Sequence, residues 1–160
     1  MPNSDRAKVR RQIKQFDLSW QRIEKLYSEF AKIHGLTWMT LSILEEIYHA
    51  NENGKSMTQK EISESLGLGK QLINGSIKYL LEQNYIEMKE LPTDRRNKSI
   101  HLTPLGIEFS QKVYSQLDDI LYDVWSGLTE EEAQFWLRLE NKYADAFEKA
   151  ISAKELPHSI

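Results

Sequence analysis

From Val9 onward, apolar residues recur at spacings of three and four: Val9, Ile13, Phe16, Trp20, Ile23, Tyr27, Phe30 and Ile33. This spacing predicts one long helix with a single apolar stripe, ended by Gly35. The stripe is aromatic and continuous, so the helix needs a partner along its whole face, from its own fold or from a second copy of the chain. A second helix is predicted over residues 37 to 50. Thr37 is its N-cap, Leu41, Leu44, Ile47 and Tyr48 form its buried face, and "NENG" at 51–54 terminates it.

The stretch "MTQKEISESLGLGKQLINGSIKYLLEQNY" is more specific. Thr58 followed by Glu61 reads as a capping box that opens a short helix burying Ile62 and Leu66. Gly67 allows a tight turn, and another helix is predicted from about Leu68, with Leu72, Ile73, Ile77, Leu80 and Leu81 facing inward. Two short helices joined by a glycine-containing turn are a helix-turn-helix candidate. Lys70 or Gln71, Asn74 and Lys78 are left on the outer face, a row of donors with no acid.

Asn84 can adopt the left-handed conformation that closes a helix, after which Tyr85, Ile86 and Met88 read as a strand leading into "ELPTDRRNK". Ile100 and Leu102 alternate with Ser99 and His101 on the return. The expected product is a two-stranded hairpin whose loop carries Arg95, Arg96 and Lys98. Thr103 then caps a helix with Pro104 at its first position, bearing Phe109, Val113, Leu117, Ile120 and Val124. Gly127 breaks it, Thr129 and Glu132 form a second capping box, and Trp136, Leu139, Tyr143 and Phe147 stripe the last helix.

Composition narrows the class. A content of 40% hydrophobic and 28% charged residues with only four prolines excludes a disordered polymer, and 160 residues suffice for one domain with a sizeable core. No apolar run approaches the roughly 20 residues that cross a bilayer, and "MPNSDRAKVRR" lacks the apolar stretch of a signal peptide, so a cytoplasmic location is expected. Without cysteine there is no disulfide frame, thiolate zinc site or cysteine-based sensing.

The net charge is −3, but it is unevenly spread. Residues 116–148 hold nine acids against two bases, which leaves +4 on the rest of the chain. Local positive charge, not overall basicity, is what a polyanion requires.

The predicted order (helix, helix, helix-turn-helix, charged hairpin, long helix, final helix) is that of a mainly α winged helix-turn-helix with a small β-hairpin wing and flanking N- and C-terminal dimerisation helices. Across about residues 7 to 153 the chain resembles the MarR (multiple antibiotic resistance regulator) family of bacterial transcription factors. The most specific match is Asp94-x-Arg96 followed by Ile100-x-Leu102-Thr103-x-x-Gly106, similar to the family's wing signature; "GLTWMTLSIL" and "LLEQNYIEM" support it. Asn84 stands where many members carry glycine, and Gly75 where the family often carries arginine.

The resemblance implies a single MarR-like domain over 1–160. Within it, residues 37–103 would form the DNA-binding lobe, and 7–34 and 104–153 the dimerisation helices. It implies a homodimeric, ligand-responsive regulator, expected to be a repressor on a pseudo-palindromic operator in double-stranded DNA. The recognition helix would enter the major groove, where Gln71 and Asn74 pair with adenine edges while Lys70 and Lys78 hold phosphates or guanine. In the wing, Arg96 would reach the minor groove, Arg95 and Lys98 would lie near phosphates, and Asp94 would orient an arginine. A small aromatic effector would sit near Phe30, His34, Trp38, Met39 and Phe109.

Two rival classes remain. An enzyme is not expected: His34, His49, His101 and His158 show no close metal-ligand pair, and there is neither a cysteine nucleophile nor a glycine-rich phosphate loop, so no catalytic residue, metal or cofactor is assigned. Some MarR relatives bind zinc, but no spacing of His34 or His49 with carboxylates demands it here. The other rival is a winged-helix protein–protein interaction module without DNA binding, favoured by Gly75 and the net acidity.

Overall fold

The computed structural model describes the backbone of residues 2–91 and 94–154, and the side chains of residues 5–90 and 98–154. In chain order the elements are α1 (Pro2–Ile33), α2 (Trp38–Glu52), β1 (Met57–Thr58), α3 (Gln59–Leu66), α4 (Lys70–Glu82), β2 (Ile86–Leu91), β3 (Asp94–Leu102), α5 (Pro104–Ser126) and α6 (Glu130–Ser152). The chain divides into two compact units, Met1–Tyr114 and Ser115–Ile160.

The core of the first unit is built from Leu41, Ile43, Leu44 and Ile47 of α2, Ile62 of α3, Ile73, Ile77 and Leu80 of α4, and Ile86, Ile100 and Leu102 of the sheet. These positions follow helical and strand periodicity, so each element presents one apolar face to a shared interior. Thr37 caps α2 by accepting from the Thr40 N–H at 3.1 Å. The helix continues two residues beyond the expected end, to Glu52, before Gly54 turns the chain with φ +66°. Tyr48 is only half-buried, and Ile43, absent from the expected face, is fully enclosed.

The sheet has three strands, not two. The order is β1-β3-β2, with Met57 opposite Ile100 and Thr58 opposite Ser99 on one side of β3, and Ile86 opposite Leu102 on the other. A two-residue strand is too short to show alternation, which is why β1 escapes pattern reading. Central placement also explains why Ser99 is buried despite its polar alternation. Tyr85 precedes β2 instead of belonging to it. Lys98 lies within the ladder opposite Glu90, not in the hairpin loop, and the register shifts between Glu90 and Leu91, which pairs with Asp94.

The passage from the sheet into α5 is tightly tied. Asn84 takes φ +56°, as its position after α4 predicts, and the carbonyls of Asn84 and Tyr85 accept from the Thr103 hydroxyl (2.6 Å) and N–H (3.0 Å). Thr103 Oγ1 in turn accepts from the Gly106 N–H at 3.0 Å, the expected cap. Phe109 stacks on Tyr85 with ring centroids 4.2 Å apart.

In the second unit, Thr129 and Glu132 form the expected reciprocal cap at the start of α6. Trp136, Leu139, Tyr143 and Phe147 lie on this helix between 46 and 57% exposed. The helix thus carries a row of large apolar side chains about half open to solvent.

Candidate nucleic-acid interface

The helix-turn-helix is assembled by local chemistry. At the start of α3, Thr58 Oγ1 accepts from the Glu61 N–H (3.2 Å) while the Glu61 carboxylate accepts from the Thr58 N–H (2.6 Å). These bonds, the backbone one foremost, hold the Glu61 carboxyl below the usual carboxylate range. Gly67, with φ +61°, closes α3 in the left-handed conformation that glycine adopts without strain. Gly69 is the N-cap of α4 and makes no side-chain cap, so the recognition helix begins at Lys70, two residues later than the pattern suggests.

Ile73, Ser76, Ile77 and Leu80 form the buried arc of α4. Its phase leaves Leu72 55% and Leu81 37% exposed, against expectation: each is one residue, about 100°, from an arc already filled. Ser76 is enclosed and accepts from the Thr40 hydroxyl at 3.0 Å, a bond between α2 and α4. Periodicity could not mark a serine as core.

On the opposite arc, Lys70, Gln71, Asn74 and Lys78 are all exposed, as expected for a row that could meet base edges and phosphates. Two neighbours were missed. Lys78 Nζ lies 3.7 Å from Glu82, so one acid does end the row; this exposed pair is weak and would yield to a phosphate. Gln59, the first residue of α3, donates through Nε2 to Asn74 Oδ1. Beside Asn74, a side chain at Gly75 would meet nothing within 4 Å. On the wing, Lys98 is exposed, whereas the side chains of Asp94, Arg95 and Arg96 lie outside the described residues, although their backbone belongs to β3.

The expected effector residues form separate aromatic contacts. Phe30 packs on His34 with ring centroids 4.8 Å apart, Trp38 on Tyr27 at 4.7 Å, and Phe109 on Tyr85. Met39 is half-buried. His34 Nε2 is shut off from solvent with no hydrogen-bond partner among the described residues; burial, aided by Lys112, holds its imidazole below the usual histidine range. His49 lies 3.3 Å from Glu52 and 3.9 Å from Glu45, but among the described residues no group of three or more acids and histidines is arranged to hold a metal ion. No helix among them is long and apolar enough to cross a membrane.

The family model for MarR matches residues 34–97, which spans α2 through the hairpin. The chain is similar to the HTH-type transcriptional regulator PapX of Escherichia coli, 28% identical over 125 residues covering 76% of this chain and 73% of PapX. Over residues 34–97 the chain therefore resembles the MarR family. Its fold agrees with solved members: a MarR family regulator from Neisseria meningitidis superimposes with a TM-score of 0.72 at 23% identity, covering 90% of this chain and 99% of that one. The S. aureus MepR chain of a MepR–DNA complex superimposes with a TM-score of 0.72 at 20% identity, covering 83% and 96%. The fold is therefore that of a winged helix-turn-helix, with α3 and α4 as the helix-turn-helix and β2–β3 as the wing.

Proposed function

We propose that the protein acts as a homodimeric repressor on a pseudo-palindromic operator, with residues 37–103 as its DNA-binding lobe and residues 7–34 and 104–153 as its dimerisation helices within one functional domain, 1–160. The observation that carries this reading is the solvent-facing arc of Lys70, Gln71, Asn74 and Lys78, held outward by the buried arc of the same helix. Gln71 and Asn74 read adenine edges; Lys70 and Lys78 take phosphates or guanine. Arg96 enters the minor groove, Arg95 and Lys98 hold phosphates, and Asp94 orients an arginine. One recognition helix reads few base pairs, and a symmetric pair doubles that by presenting two copies about one helical turn apart. A small aromatic effector at Phe30, His34, Trp38, Met39 and Phe109 would release the operator by changing that spacing. The reading includes no catalytic step and no cofactor, and it places the protein in the cytoplasm.

The test is duplex binding as a function of salt, using a sequence enriched from random DNA. Affinity is expected to fall steeply and linearly on logarithmic axes, and Arg96→Ala to reduce the slope by about one phosphate contact. A salt-independent response would point instead to a protein-interaction module.

A further inference from the structure

We propose that Gln59 is a positioning residue that makes Asn74 select adenine over guanine, an inference that rests on the DNA-reading function of α4. An asparagine on an exposed helix face turns freely, and its two amide ends are chemically opposite. In the major groove adenine presents the N7 acceptor beside the N6 donor, whereas guanine presents the N7 and O6 acceptors. An unrestrained amide can turn its carbonyl to the first or its NH₂ to the second, so asparagine alone discriminates poorly between purines. Here the Gln59 Nε2 donates to Asn74 Oδ1, bridging fifteen residues and the two helices of the helix-turn-helix.

A carbonyl oxygen has two lone pairs, so Asn74 Oδ1 can accept from Gln59 and still accept from adenine N6–H, while Nδ2 donates to N7. With the amide held this way, guanine O6 would face Oδ1, acceptor against acceptor. Gln59 is well suited to this task because it directly follows Thr58, whose reciprocal bonds with Glu61 fix the first turn of α3. The open space at Gly75 leaves the flank of Asn74 free for a base edge.

The probe is the duplex enriched from random DNA, together with versions carrying single A·T to G·C exchanges. The position read by Asn74 is the one whose preference Asn74→Ala abolishes. There the wild-type protein should favour A·T by about tenfold. Gln59→Met, which keeps the stem and removes the amide, should cut this to below about threefold, with the salt slope and thermal midpoint unchanged. Gln59→Glu, which can only accept, should turn the Asn74 amide around and reverse the preference toward G·C. If Gln59→Met retains the full preference, or weakens all duplexes equally, the positioning role is wrong even though the protein reads DNA. If Asn74→Ala changes no base preference, the reading by α4 itself fails, and the inference with it.

Discussion

The hydroxyl of Thr40 on α2 donates to Ser76 Oγ on the recognition helix across 3.0 Å, and both residues are enclosed. Thr37 Oγ1 lies a further 2.8 Å from Thr40 Oγ1, so the N-cap of α2, its third helical residue and the middle of α4 form one polar chain through an otherwise apolar core. A directional bond at that point fixes the rotation of α4 more sharply than apolar packing does, and hence which residues face outward. Ser76→Ala and Thr40→Val should each cost about 1–2 kcal/mol in urea unfolding, because each leaves a buried hydroxyl short of a partner. The double variant should cost less than the two together, since both ends of the bond are then gone. Strict additivity would show that the bond contributes nothing.

Two glycines should respond in opposite directions. A Cβ at Gly106 would lie 1.8 Å from the Tyr85 carbonyl oxygen, a backbone atom tied down by Thr103, so Gly106→Ala should destabilise by about 3 kcal/mol or more. Gly75 sits mid-helix in open space, so Gly75→Ala should stabilise by about 1 kcal/mol, roughly 2–4 °C in thermal midpoint. If Gly75→Ala also weakens operator binding, the glycine serves close approach to DNA.

His34 should impose a pH dependence near neutrality. Its folded pKa is lowered, chiefly by burial, so the unfolded chain takes up a proton first as pH falls below about 6.5. The associated stability is fully present above that pH, is lost on acidification, and levels off once the folded imidazole is also protonated. Glu61 and Glu132, lowered by their capping bonds, contribute stability that is lost only at more acidic pH, below about 4.3. Urea unfolding at pH 7.5 and 5.5 should therefore show a loss that is smaller in His34→Phe, which keeps a ring against Phe30. An equal loss in both proteins would rule His34 out as the source.

The apolar stripe of α6 should be an assembly surface. Trp136→Glu and Phe147→Glu, each replacing a roughly half-exposed aromatic, should move the protein in sedimentation from a dimer to the 18.8 kDa monomer and abolish tight operator binding. A monomeric wild-type protein would defeat the two-copy reading.

Periodicity and capping chemistry alone determined much of this protein: the long α1, the Thr58–Glu61 and Thr129–Glu132 boxes, the left-handed Gly67 and Asn84, and the outward row of α4. Each depends on interactions within a few residues, so a linear pattern contains the cause. Tertiary structure decided the rest. Strand β1 exists because β3 offers it an edge, Ser76 is core because Thr40 lies across from it, and Leu72 is exposed because other side chains already fill the interior. Gln59 meets Asn74 only because the turn at Gly67 folds α3 back against α4. Those outcomes depend on partners distant in the chain, whose positions no local spacing encodes.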